Sequence, residues 1–226
     1  MIAVYPFRHS AWRDNELRYS LRSLEKHFAP LSGVLIVGDK PDWLIDVDHL
    51  RMRDPVASKA LNIWAKLREV ARYLGPGVEF IYMNDDFYLL KDCETMPDFY
   101  SGCMQSKIKR TPGSPWVKML IETVEYLHGA GMPTRNHAVH FPVICNTDGL
   151  KELIGIASEN ILSFRCLWGN IYGENPVEHR DVKLRRDGHK PIPDSWPCFS
   201  TGDQFRDHAK MTALYPEKSR YEGDGE

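Results

Sequence analysis

Phe80-Ile81-Tyr82-Met83-Asn84-Asp85-Asp86-Phe87-Tyr88-Leu89-Leu90 is the stretch that decides the reading of this chain. Its four leading apolar residues read as a strand buried on both faces. The run then meets an amide and two carboxylates before turning apolar again. Carboxylates set between hydrophobic strands are costly to desolvate unless something offsets their charge. A hard-oxygen cluster of this kind suits Mg²⁺ or Mn²⁺. A cation held by one or two carboxylates can bridge a diphosphate and neutralise a departing nucleotide. The same triplet also fits a tight turn in which Asn and Asp bond their own backbone.

Upstream, strands and helices alternate. Ile2 to Tyr5 reads as a short strand stopped by Pro6, and Asp14 as a helix N-cap. Leu17, Leu21, Leu24 and Phe28 then form the stripe of a helix facing a core. Val34-Leu35-Ile36-Val37 is a second doubly buried strand, and His49 to Met52 a further short one. Ser58 opens a helix with Ala60, Trp64, Leu67, Ala71 and Leu74 on one face, ended by Gly75-Pro76-Gly77. This alternation implies right-handed crossovers and an α/β fold with a mainly parallel sheet. Ligands of such sheets bind beyond the carboxyl ends of the strands.

Three polar clusters stand at those ends: Phe7-Arg8 through Asp14, Asp39, and Asn84-Asp85-Asp86. The forks of Arg8 and Arg13 fit phosphate oxygens, and with Asp14 they equally fit a surface salt bridge. Asn62 and Lys66 share a helix face, where Lys66 can reach a phosphate or sugar, or the two can form a solvated stripe.

Beyond Leu90 the pattern is less regular. Lys107 to Ser114 reads as a basic loop, and Ser114-Pro115 opens a helix closed by Gly129. A strand over Ala138 to Cys145 carries His140. Short helices follow over Leu150 to Ile156 and Ile161 to Trp168, then a charged, exposed segment from Glu178 to Lys190. A helix over Asp203 to Leu214 and a frayed tail from Tyr221 complete the chain. His140 is a candidate base toward a hydroxyl, or a structural histidine. Arg165 and Asp203 are further candidates. The sequence contains no P-loop, G-x-G-x-x-G, G-x-S-x-G or H-E-x-x-H motif.

Bulk properties narrow the class. The chain has 226 residues, 42% hydrophobic and 27% charged, with formal net charge −2, as expected of one large soluble domain or a core with a small lobe. The balance excludes an overall basic nucleic-acid binder and an acidic tail. The five cysteines are odd in number and lack any C-x-x-C pair, which excludes a zinc ribbon and a disulfide framework and predicts free thiols in a reducing compartment. The N-terminus lacks the charged and apolar regions of a signal peptide, and no apolar run is long enough for a membrane span, so a cytoplasmic protein is expected. Lys107 to Arg110 beside Trp116, and Arg180 to Lys190, can steer a polyanion or be solvated loops.

Two stretches together resemble a known family. They are Arg13 to Lys26, continued by Val34 to Asp39 and Pro41 to Leu44, and Ile81-Tyr82-Met83-Asn84-Asp85-Asp86. Both resemble the second conserved region of the Stealth family, the capsular-polysaccharide and N-acetylglucosamine-1-phosphate transferases. Collinear echoes follow at His137-Ala138-Val139-His140-Phe141, Ser163-Phe164-Arg165 and Pro197 to Asp203.

The resemblance implies a GT-A-like, Rossmann-type sheet flanked by helices, with a smaller irregular C-terminal acceptor lobe. Residues 1–100 would form the nucleotide-sugar-binding core, 101–220 the acceptor-side and catalytic lobe, and 221–226 a tail. Asn84-Asp85-Asp86 stands where GT-A enzymes carry their D-x-D motif. That makes Asp86, helped by Asp85, the expected ligand of an Mn or Mg cofactor. Phe7, Arg8, Arg13, Asp14, Asp39, Asn62, Lys66, Asn84 and Asp85 would line the donor, a UDP-sugar foremost. Asp203, His140 and Arg165 would form the catalytic side, with Asp203 or His140 deprotonating the acceptor, a saccharide or a modified nucleic acid.

One departure leaves the reaction open. The family's first region reads like V-Y-T-W-V-D-G, whereas this chain has Val4-Tyr5-Pro6-Phe7-Arg8-His9-Ser10, without the acidic residue. Transfer of the sugar alone is the preferred expectation. Transfer of a sugar 1-phosphate by attack at the β-phosphorus is the alternative, and a non-catalytic nucleotide-sugar-binding module a third.

Overall fold

The computed structural model describes residues 1–224 except 11, 57, 158–160, 187–191 and 194, with the backbone alone at 115, 186 and 203. The first half runs β1 (Ile2–Phe7), α1 (Asn15–His27), β2 (Gly33–Gly38), β3 (Asp48–Arg51), α2 (Lys59–Leu74), β4 (Glu79–Tyr82) and β5 (Phe87–Leu89). It continues through β6 (Phe99–Tyr100), α3 (Met104–Arg110), α4 (Pro115–Gly129), β7 (Val143–Asn146), α5 (Thr147–Ile156) and α6 (Phe164–Ile171). The last elements are β8 (Val177–Glu178), β9 (Lys183–Arg186), β10 (Cys198–Gln204) and α7 (His208–Leu214).

The main sheet has the order β3-β2-β1-β4-β7, with the first four strands parallel and β7 antiparallel to β4. Both faces are covered, and the pleat sorts the side chains between them. Ala3, Tyr5, Phe7, Val34 and Ile36 pack with Leu17, Leu21 and Leu24 of α1. Val4, Leu35 and Val37 pack with Trp64, Leu67 and Val70 of α2. The expected α1 stripe is buried throughout, and each such side chain contributes about 2 kcal/mol.

Several expectations need correction. β1 continues through Pro6 to Phe7 rather than stopping at Pro6. Its pairing with β4 ends at Val4 while its pairing with β2 runs on to Phe7. Val4 O accepts from Met83 N and Phe7 O from Asp39 N, so the Pro6 nitrogen faces the β4 side, past the last rung, where no ladder donor is needed. Asp14 occupies the N-cap position of α1 but sits in left-handed backbone, and its side chain bonds Ser10 instead of the helix.

His140 lies in a bend before β7, not in a strand, because Arg165 takes the carbonyls of Val139 and Phe141. Lys107 to Arg110 is the end of helix α3, not a loop. Part of the stretch expected to be exposed is strand β9, and Val182 and Leu184 are buried. Asp203 belongs to β10, and the last helix starts only at His208. Tyr221 and Glu222 are buried rather than frayed.

A second sheet, β5-β10-β9, starts with the strand that follows β4 across the Asn84-Asp85-Asp86 turn. Ser200 of β10 stands opposite Phe87 on one side and Lys183 on the other. The residues after Asn84-Asp85-Asp86 are thereby tied to the C-terminal third of the chain. No helix among the described residues is long and apolar enough to cross a membrane.

Candidate active site at the ends of the parallel strands

The carboxyl ends of β1, β2 and β4 meet at one polar rim. Lys66 reaches it from α2, where it is buried rather than part of a solvated stripe. Its Nζ donates to Phe7 O at 2.9 Å and lies 2.9 Å from Asp54 Oδ1. Arg8, largely exposed, lies 3.9 Å from the other oxygen of Asp54. The close approach of Lys66 requires Gly38. That residue has φ +127°, and a Cβ there would stand 2.1 Å from Phe7 O and 2.9 Å from Lys66 Nζ. Asn62 is also buried, and both ends of its amide bond the backbone of Val56. It therefore holds the loop that carries Asp54 rather than facing a ligand.

The loop after β1 wraps the same rim. His9 N donates to Asp39 Oδ2 at 3.0 Å, and His9 Nδ1 lies 2.7 Å from Asp14 Oδ2. Ser10 Oγ donates to Glu16 at 2.6 Å. Arg13 is exposed in left-handed backbone at φ 52°, and it enters none of these contacts.

Asn84-Asp85-Asp86 forms a turn closed by Phe87 N donating to Asn84 O. Burial, then the charges of Asp86 and Glu16, push the Asp85 carboxyl up to about 7, with Lys59 acting in the opposite sense. Lys183 Nζ lies 2.9 Å from Asp86 Oδ2.

Phe87 gathers the catalytic candidates around this turn. The Arg165 guanidinium sits 4.6 Å above its ring, and the His140 ring meets it edge-on at 6.4 Å. Arg165 donates to Val139 O and Phe141 O, bracketing His140. His140 Nδ1 lies 2.8 Å from Asp181 Oδ1, and His140 N donates to the same oxygen. Burial alone would raise the Asp181 carboxyl. The hydrogen bonds and charge of His140, helped by Lys107, outweigh it and hold the group below its ordinary value. The Asp203 side chain lies outside the described residues.

Sequence reasoning missed Asp54, His9, Glu16, Asp181 and Lys183. For Lys183 a signal existed: Val182 and Leu184 flank it with the period of a strand. The other four carry no local pattern.

Comparison with known proteins fits this geometry. The structure of the galactosyltransferase LgtC in complex with donor and acceptor sugar analogs superposes with a TM-score of 0.53 at 10% identity, covering 97% of this chain and 96% of LgtC. A second LgtC structure, of an active-site mutant, gives 0.50 over 95% of each chain, also at 10% identity. The chain has the GT-A fold. At such identity the likeness fixes the architecture of this GT-A chain and not its chemistry.

Sequence relatives speak to a subgroup. The GT-A chain is 33% identical over 134 residues to the N-acetylglucosamine-1-phosphotransferase subunits alpha/beta of Mus musculus, an alignment taking in 48% of this chain and 10% of the relative. It is 34% identical over 117 residues to the exopolysaccharide phosphotransferase SCO6023 of Streptomyces coelicolor, taking in 45% and 20%. It is therefore homologous to Stealth-type sugar-phosphate transferases over about half its length, and the alignments span a tenth to a fifth of theirs. No family model matches the chain.

Proposed function

We propose that this GT-A chain is a transferase that takes a sugar 1-phosphate from a nucleotide-sugar donor and places it on a hydroxyl acceptor. The observation that carries the choice is the 33% identity to a sugar-phosphate transferase, against 10% to LgtC. This reverses the order preferred on the sequence. Transfer of the sugar alone is the second reading, supported by the superposition on LgtC over nearly the whole chain.

In this reading Arg8, Asp39, Lys66 and Asp54 form the donor side, and residues 101–220 supply the acceptor side. Phe7, expected to line the donor, has its side chain in the core and serves only through the carbonyl that positions Lys66. His140 is the base. Its Nδ1 is engaged by Asp181, which leaves Nε2 to take the acceptor proton. The acceptor oxygen then forms a bond to the β-phosphorus. The bond from that phosphorus to the bridging oxygen breaks, and a nucleoside monophosphate leaves. Arg165 keeps His140 in place and supplies positive charge beside Asp86.

GT-A glycosyltransferases generally use divalent cations, and the donor set here fits one. Asp85 and Asp86 offer hard oxygens on one tight turn. Among the described residues no group of three or more His, Cys, Asp or Glu could hold a metal, so the remaining positions would fall to oxygens of the donor. When bound, the ion would neutralise charge on the diphosphate. A UDP-sugar donor, a saccharide acceptor and a cytoplasmic site of action belong to the same proposal.

Mass spectrometry of the products tests it. Retained phosphorus in the product and release of a nucleoside monophosphate are expected. A nucleoside diphosphate with a phosphorus-free product would establish the second reading instead.

A further inference from the structure

Asp86 already has a positively charged partner. Lys183 Nζ lies 2.9 Å from Asp86 Oδ2, and the two side chains are only 19% and 18% exposed. Lys183 is not a loose surface lysine. Its strand is locked in register: Lys183 stands opposite Ser200, which stands opposite Phe87, the residue after Asp86. Its neighbours Val182 and Leu184 are buried, which turns Lys183 to the other face of β9. Backbone pairing thus delivers one ammonium to one carboxylate across a sequence separation of 97 residues.

We propose that Lys183 is a built-in counter-ion of Asp86 that competes with a divalent cation for this carboxylate. The inference rests on the reading of Asp85 and Asp86 as the cation-binding pair. An ammonium and a divalent cation on the same carboxylate repel each other strongly at such a distance, most of all where little water screens them. The cation alone therefore binds weakly. A donor diphosphate changes the balance, because its negative charge offsets both the cation and the released ammonium. The site loads with donor and cation together.

The test is a Mn²⁺ titration without donor, following free Mn²⁺ by electron paramagnetic resonance, in wild type, Lys183→Met, Lys183→Arg and Asp86→Asn. Lys183→Met should bind Mn²⁺ about tenfold more tightly than wild type. Lys183→Arg, which keeps the charge, should match wild type, and Asp86→Asn should lose binding. Equal or weaker affinity in Lys183→Met overturns the competition while leaving the cation reading in place. Absence of binding in every folded variant overturns both. Thermal unfolding in metal-free buffer establishes which variants fold. Should Lys183→Met not fold, Lys183→Gln carries the same comparison.

Discussion

His140 Nδ1 stands 2.8 Å from Asp181 Oδ1, and the same carboxylate oxygen accepts the His140 backbone N–H. One carboxylate thus fixes both the ring and the main chain of the proposed base. His140→Gln should lower kcat/KM by about 10²–10⁴ with little change in thermal stability. Asp181→Asn should lower kcat by about 100-fold while leaving donor affinity unchanged, because it frees the ring without touching the donor rim. Steady-state kinetics with donor and acceptor varied separately checks both. A loss of kcat/KM carried entirely by a higher donor KM would remove His140 from the chemistry.

Arg165 acts through geometry that lysine cannot copy. Its two terminal nitrogens donate to Val139 O and Phe141 O, on either side of His140, while its plane lies over Phe87. Lysine keeps the charge but has neither the fork nor the flat face. Arg165→Lys should therefore release the bend that presents His140 and lower kcat by about 100-fold. If the lysine variant keeps wild-type kcat, charge alone is what the site requires.

How much of this site was legible in the sequence depended on whether its cause was local. The α1 stripe and the doubly buried strands follow from side-chain spacing, so Leu17, Leu21, Leu24 and Val34 to Val37 took their expected places. The turn at Asn84 to Asp86 was visible because carboxylates interrupt two apolar runs. The sequence around His140 reads as a strand, because the bend is held by Arg165, which lies in a later helix. The burial of Lys66 is not legible in the spacing of α2, because neither of its partners, Asp54 and Phe7 O, lies on its own helix. Pairings that depend on how the chain closes leave no periodic trace.

Gly38 tests the donor rim through the backbone. At φ +127° a side chain is strained in any surroundings, and here a Cβ would overlap Phe7 O, a main-chain atom of the central strand that cannot swing aside. Gly38→Ala should cost about 3 kcal/mol of stability, more than the strain alone. It should also displace Lys66, whose Nζ would meet the same Cβ at 2.9 Å. Denaturant melts check the first effect, and donor titration of the folded fraction the second. Wild-type stability in this variant would mean that β2 ends in a different conformation.

Glu222 shows why the C-terminal segment is anchored, and how acid should release it. Its two oxygens accept from Arg22 Nε and Nη2, each at 2.7 Å, and Arg18 Nη1 adds a third contact at 3.3 Å. Burial by itself would raise the carboxyl. The hydrogen bonds from Arg22 and the Ser219 backbone, with the charges of Arg22 and Arg18, outweigh it and hold the group below its ordinary 4.5. A depressed carboxylate contributes stability that is full above its unfolded value and is lost as pH falls through the folded one. Near neutral pH, Glu222→Gln should thus cost about 3 kcal/mol, because it leaves two largely buried guanidinium groups without their charge partner. The gap between wild type and variant should hold down to about the ordinary value of 4.5 and close below it. Urea melts of both proteins from neutral to acid pH measure that gap, and a pH-independent difference would show that shape rather than charge fastens residues 221 and 222 to α1.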